Sequence, residues 1–361
     1  MWRTFGSRSE SDSLEKGKRM NFTDFLSTRR VTLQNVLVTG GAGYIGSHVV
    51  RQLGQAGYNV IVYDNYSTGS PDAVVSAKVI QGDLADVSQL HDVFSQYHFD
   101  AVLHFAASLA VPESVRYPLD YYSNNTCNTL NLLRCCQSFG VEKLIFSSTA
   151  AVYGEPQENP VTEGAPTQPI NPYGRSKLMS EWMIQDYAAT SSLKYVILRY
   201  FNVAGADPEG YIVQRPEKVQ NLVSIACDVA LGRKPYLAIF GTDYPTSDGT
   251  AIRDFIHVED LAAAHVSALR YLEQGHKSQI LNCGYGQGFS VKEVCARVQK
   301  IANVHFPVVE TARRAGDPAQ VIACADKIRT IFDWQPQHNC LDSIIRSTLN
   351  AKKRQVITQK I

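Results

Sequence analysis

In the stretch NPYGRSKLMSEW, residues 171–182, Tyr173 and Lys177 stand four residues apart. On a helix that spacing puts both side chains on one face, one above the other. A free phenol has a pKa near 10 and is a poor base at neutral pH. A neighbouring ammonium favours the phenolate. In FSSTAAVYG, about twenty-four residues earlier, Ser147, Ser148 and Thr149 offer hydroxyls. Of these, Thr149 would pass a substrate proton to the phenolate or hold the substrate oxygen in line. Such a set suits removal of a proton from an alcohol whose carbon gives up a hydride. Taken singly, each part has a plainer reading. A Ser/Thr run at a strand end caps backbone, and YxxxK is often a half-buried tyrosine beside a snorkelling lysine. The chemistry therefore needs a dinucleotide site elsewhere in the chain.

The elements that would position these residues begin at NVLVTGGAGYIGSHVVRQLGQAGYNVIVYDN, residues 35–65. The β-branched run VLVT reads as a strand. An apolar-periodic helix follows from about Ile45 to Ala56, closed by Gly57, and NVIVYD reads as a second strand. Gly40, Gly43 and Gly46 lie between strand and helix, where the lack of side chains lets backbone approach a pyrophosphate at a helix N-terminus. Asp64 ends the second strand, where a carboxylate accepts ribose hydroxyls and repels a 2′-phosphate, favouring NAD over NADP. A third strand leads to Asp83, near an adenine. A fourth, FDAVLHFAASLAV, runs into Phe105, Ala106 and Ala107, small enough for a cofactor to lie on the sheet. A helix with Leu130, Leu132, Leu133 and Phe139 precedes a fifth strand ending in Ser147, Ser148 and Thr149. This alternation predicts an α/β fold with a doubly wound parallel sheet and ligands at its carboxyl ends.

With 361 residues, 44% apolar and 19% charged, the chain can bury a large core in one big domain or two smaller ones. A net charge near +1 gives no electrostatic case for nucleic acid or an anionic membrane, and no apolar run is long enough to span one. The eight cysteines show no CxxC spacing and read as reduced thiols of a cytoplasmic protein, not zinc ligands or disulfides. Residues 1–33 are polar and aperiodic and read as a disordered extension, or as an over-long start with Met20 the true initiator.

GxxGxxG, Asp64, Asp83, HFAA, SST and YxxxK together resemble the extended short-chain dehydrogenase/reductase family, over nearly all of residues 36–349. The most specific shared segment is FGTDYPTSDGTAIRDFIHV, residues 240–258. The resemblance implies a Rossmann-like domain over 34–205, a smaller α/β substrate domain over 206–350 partly interleaved with it, and a tail over 351–361. It implies bound NAD and epimerisation at C4 of a UDP-sugar, interconverting UDP-glucose and UDP-galactose through a 4-keto intermediate. Thr149, Tyr173 and Lys177 would be catalytic, the lysine and NAD+ lowering the tyrosine's pKa. To the cofactor it assigns Gly40, Gly43, Tyr44, Ile45, Gly46, Asp64, Asn65, Asp83, Leu84, Phe105, Ala106, Ala107, Asn125 and Tyr200, with Tyr173 and Lys177.

For the substrate the resemblance implies Asn202, Asn221 and Leu222 near the diphosphate or sugar, and Leu237, Ala238 and Phe240 around uracil. Arg253 and Arg314 would hold the diphosphate, as guanidinium groups suit phosphate oxygens, and Asp317 the ribose. Family members that eliminate water follow the threonine with an Asp-Glu pair. Here Ala150 and Ala151 stand there, and methyl groups exchange no protons. Two other departures bear on function. Leu109 replaces a lysine that reaches the cofactor side, predicting weaker or differently arranged retention. Val321 falls where some relatives carry a bulky tyrosine, which leaves room for a 2-acetamido group. A UDP-N-acetylhexosamine or UDP-pentose (xylose/arabinose) substrate therefore stays open, as does a non-catalytic sensor of NAD or nucleotide sugars. Helices around Thr129–Phe139 and Tyr173–Ala189 are expected to pack across a two-fold axis as a homodimer.

Overall fold

A computed structural model describes residues 34–212 and 221–358; the expected extension over 1–33 lies outside them. The first half runs β1 (Asn35–Thr39), α1 (Tyr44–Gln55), β2 (Asn59–Asp64), β3 (Lys78–Gln81), α2 (Val87–Gln96), β4 (Ala101–His104), α3 (Val111–Arg116), α4 (Pro118–Tyr121), α5 (Asn128–Ser138), β5 (Lys143–Thr149), α6 (Pro172–Ala189) and β6 (Lys194–Tyr200). A π-helical turn, Tyr122–Cys127, joins α4 to α5. The second half runs β7 (Asn202–Ala204), α7 (Leu222–Ala230), β8 (Leu237–Phe240), β9 (Ile252–His257), α8 (Val258–Glu273), β10 (Gln279–Cys283), β11 (Gly288–Ser290), α9 (Val291–Ala302), β12 (Val308–Thr311), β13 (Gln320–Val321), α10 (Asp326–Phe332) and α11 (Leu341–Thr358).

Seven strands form one parallel sheet in the order β10-β6-β5-β4-β1-β2-β3. Its central strands are apolar runs buried on both faces, as parallel strands covered by helices must be: Val36, Leu37 and Val38 are fully buried and pair with Val60–Val62 on one side and Ala101–Leu103 on the other. One face packs on Val49, Val50 and Leu53 of α1 with Leu261, Ala264 and Leu269 of α8. The other packs on Leu90, Val93 and Phe94 of α2 with Leu132 and Leu133 of α5 and Ile184 of α6. The order reverses between β1 and β4, which opens a crevice at their carboxyl ends.

The second half does not stand apart from this sheet. β10 lies parallel to β6, with Gln279 opposite Val196 and Cys283 opposite Tyr200. β7, β9, β11 and β13 make a second, four-stranded sheet, and β8 pairs with β12. A buried polar knot also binds α1 to α8: Glu259 is hydrogen-bonded to His48, to Gln52 at 2.7 Å and to Arg51 at 2.9 Å. Residues 351–358, read as part of a tail, are helical instead, and 359–361 lie outside the described residues. α11 continues to Thr358 because Ile344, Ile345 and Leu349 are buried and Lys352 pairs with Asp228 at 2.8 Å. None of the eight cysteines is in a disulfide, and Cys135, Cys136, Cys227, Cys283 and Cys295 are buried. Among the described residues no helix is long and apolar enough to cross a membrane, and no His, Cys, Asp or Glu cluster is arranged to hold a metal.

Candidate active site

A cleft of about 740 Å³ runs along the carboxyl ends of β1, β2, β4, β5 and β6 and on under the second half. Its floor begins at the glycine turn. Gly40 has φ +73°, and a Cβ there would lie 2.5 Å from the Ala106 nitrogen; a Cβ on Gly46 would lie 2.2 Å from the Gly40 oxygen. Neither position tolerates a side chain. α1 starts at Tyr44 with no side-chain cap, so the first turn turns bare N–H groups toward the cleft. Asp64 is buried, accepts from Ala42 N at 2.9 Å and Tyr66 N at 2.8 Å, and has its pKa raised chiefly by burial. Asn65 donates to Asp83 at 2.8 Å. These features fit a dinucleotide: an uncapped helix end for phosphates, then carboxylates and amides where ribose and base would lie.

Of the residues expected at the cofactor, Gly40, Gly43, Tyr44, Ile45, Gly46, Asp64, Asn65, Asp83, Leu84, Phe105, Ala106, Ala107, Tyr173, Lys177 and Tyr200 all line the cleft. Asn125 does not. It is buried behind the wall, accepting from Ser108 N at 2.8 Å and donating to Ser108 O and Ser176 Oγ, each at 3.0 Å. Its amide thus clamps the segment after β4 to the helix of Lys177. Leu109 is 61% exposed on the rim.

The proton-transfer corner forms where β5 meets α6. Asn171 caps α6, its Oδ1 accepting from Gly174 N at 2.8 Å with Pro172 in the first turn, which aims Tyr173 and Lys177 at the strand end. Burial raises the pKa of Tyr173, and a hydrogen bond with Thr149 opposes the rise. The lowering by Lys177 and NAD+ expected from the sequence concerns the cofactor-bound state; in the protein alone burial and Thr149 set the direction. The lysine is buried, donates to Ser147 O at 2.8 Å, lies 4.8 Å from the Phe146 ring centroid, and is pushed down to about 7 by desolvation, with Glu181 opposing. Burial thus disfavours the charged lysine until a partner charge forms near it. Ala150 and Ala151 line the same wall.

On the substrate side, Asn202, Asn221, Arg253, Arg314, Asp317 and Val321 line the cleft. Two of these are already engaged. Arg253 donates to Pro318 O at 2.7 Å and Ile252 O at 2.9 Å, and Asn221 caps α7 by accepting from Ser224 N at 2.8 Å. The Arg314 guanidinium stands 3.5 Å above the Phe240 ring. Leu222, Leu237, Ala238 and Phe240 do not line this cleft. In β8 burial alternates, so Leu237 faces the core while Ala238 and Phe240 are only part-buried. Sequence reasoning missed Asn171, which also donates to Gly316 O at 3.3 Å and so ties the catalytic helix to the Arg314–Asp317 loop. The Asn-Pro pair at a helix start was the available signal. It also missed Glu113, which lines the cleft and accepts from Tyr121 at 2.8 Å.

Residues 36–284 match the model of the NAD dependent epimerase/dehydratase family. The UDP-glucose 4-epimerase of Azospirillum brasilense is 52% identical over 316 residues, covering 87% of this chain and 91% of that one. Among solved structures, UDP-glucose 4-epimerase from Brucella ovis in complex with NAD is 42% identical with a TM-score of 0.84, covering 88% of this chain and 98% of that one. The UDP-Glc/GlcNAc 4-epimerase of Campylobacter jejuni is 47% identical with a TM-score of 0.77, covering 89% and 99%.

Proposed function

The chain belongs to the NAD dependent epimerase/dehydratase family, and we infer that it is an isomerase that interconverts UDP-glucose and UDP-galactose by inverting C4. The observation that carries this reading is the corner where Thr149, Tyr173 and Lys177 meet beside the methyl groups of Ala150 and Ala151. The corner can move one proton. It holds no carboxylic acids at the two positions after Thr149 to remove water, so the sugar leaves with nothing lost.

The Gly40–Gly46 turn and Asp64 would hold NAD+, which would supply hydride acceptance from C4 and its return through a 4-ketosugar. Tyr173 Oη accepts the C4 hydroxyl proton, with Thr149 Oγ1 as relay. Lys177 holds the strand end through Ser147 O, and its charge returns as the phenolate forms beside it. Arg253, Arg314 and Asp317 grip the UDP portion while the sugar turns. Tyr173 then returns the proton to the opposite face. On this reading the cofactor and proton-transfer groups belong to residues 34–205 and the nucleotide grip to 206–350.

Incubation with a panel of UDP-sugars and no added NAD, followed by chromatography, tests the reading. UDP-glucose and UDP-galactose should interconvert. Failure of both to react, with and without NAD, would overturn it. Turnover that appears only on adding NAD would show that Leu109 leaves the cofactor exchangeable.

A second substrate has its own support. Val321 lines the cleft with a small buried side chain packed on Phe201 and Leu178, and the Campylobacter relative is a UDP-Glc/GlcNAc enzyme. UDP-GlcNAc should therefore also react, and Val321→Tyr should suppress that reaction roughly tenfold while sparing UDP-glucose. Exposed Leu130 on α5 and Met179 and Trp182 on α6 support the expected homodimer built on these two helices. The unpaired thiols are consistent with a cytoplasmic location.

A further inference from the structure

One helical turn beyond Lys177, the carboxylate of Glu181 is fully buried. It accepts from Ser148 Oγ at 2.5 Å, and Arg199 on β6 binds both its oxygens, through Nε at 3.0 and 3.2 Å and Nη2 at 2.5 Å. Arg199 also donates to Tyr153 Oη at 3.1 Å, and Tyr153 donates to Asn282 on β10 at 2.7 Å. None of these groups lines the cleft. A buried ion pair is costly to desolvate and adds little stability over an apolar pair of the same shape. Its location is the informative part. Ser148 sits between Ser147, whose carbonyl holds the Lys177 ammonium, and Thr149, which bonds Tyr173.

We infer that Glu181 is a positioning residue for proton transfer: clamped by Arg199, it fixes the strand end carrying Ser147 and Thr149 and presents its carboxylate to Lys177. This rests on the reading of Tyr173, Thr149 and Lys177 as the proton-transfer set. The groups facing Lys177 are Glu181 on its own helix, Phe146 and Ser147 on β5, His104 on β4 and, through Ser147, Tyr200 on β6, with Tyr173 one turn back on the same helix face. His104 is held neutral, pushed down to about 3 by burial, and Tyr200 is held protonated. That leaves Glu181 as the carboxylate of this set. Facing Glu181 in turn are Arg199 and Tyr195 from β6, Ser148 from β5 and Tyr153 from the turn after it. Without the carboxylate, Lys177 loses its charge at lower pH, the phenolate loses its counter-charge, and Tyr173 needs a higher pH to act as base.

The test compares Glu181→Gln, Glu181→Asp and the double variant Glu181→Gln/Arg199→Met, which leaves no buried unpaired charge. Two readouts are taken: the pH profile of kcat with UDP-galactose, and the tyrosinate absorbance titration referenced to Tyr173→Phe. Glu181→Gln should move the acid limb of kcat up by about one pH unit, roughly tenfold at pH 7, with KM little changed. The Tyr173 titration should move the same way. The double variant should shift both in the same direction by less, and Glu181→Asp should restore the wild-type limb. A wild-type profile and titration in Glu181→Gln, or in the double variant should the single one not fold, would overturn the proposal. Inactivity of the wild type toward UDP-sugars would instead overturn the functional reading, while the tyrosinate titration would still decide the role of Glu181.

Discussion

The two ends of the cleft use charge in opposite ways. At the β5–α6 corner, part-buried Tyr173 and buried Lys177 have their ionised forms suppressed, the phenol pushed up and the ammonium down to about 7. At the far end, Arg253 and Arg314 are also lowered by desolvation, but from so high a starting point that they stay cationic at any working pH. Chemistry needs groups poised to change protonation, whereas holding a diphosphate needs groups that never do. The Arg253 guanidinium is braced by carbonyls of the loop it helps to shape, and Lys177 is braced by a single carbonyl.

Three substitutions would break or sharpen that contrast. Tyr173→Phe removes the proton acceptor and should lower kcat by roughly 10²–10⁴-fold while bound NAD, measured after denaturation, stays at wild-type content. Substantial residual turnover would mean that the proton leaves by another route. Arg314→Ala should act on binding: KM for the UDP-sugar should rise roughly tenfold or more, the worth of a hydrogen bond to a charged group, with the pH profile of kcat unmoved. A displaced profile would show that the two ends are electrostatically coupled.

The smallest effect concerns stability. The unfolded-state pKa of a lysine is near 10.4, so between that value and about 7 the unfolded chain holds a proton that folded Lys177 has lost. Stability from this residue is present above the unfolded pKa and is lost as pH falls to the folded one. Lys177→Met should therefore be inactive yet melt roughly 2 °C higher at pH 7, the gap closing toward pH 10. Calorimetry showing a lower melting temperature at pH 7 would mean that the Ser147 hydrogen bond outweighs the burial cost.

Most of the cofactor half was legible because its signals are local. Strand β1, the glycines after it and Asp64 follow one another within a single βαβ unit, and the chemistry of a helix end is set by neighbours in sequence. The nucleotide end was less so. That Arg253 would spend its donors on Pro318 and Ala319 is a contact across some sixty-five residues, and no periodicity encodes it. The expectation for residues 237–240 put Leu237, Ala238 and Phe240 around uracil without seeing that they form a strand, whose pleat turns Leu237 into the core. Lys177 was read as a tuner because its spacing from Tyr173 is visible. The burial that weakens its charge depends on Phe146, Ser147 and His104, which only the folded sheet brings around it.

The position of β10 has a consequence for how the molecule is made. Until residues 279–283 have been synthesised, the β6 edge has no parallel partner, and a growing chain exposes a row of open N–H and C=O groups there. The cofactor half therefore cannot finish ahead of the rest, although nearly all of its own sequence is already present. Truncation anywhere between β6 and β10 should yield a species that self-associates through that edge. A chain carried past Cys283 seals it with its own strand.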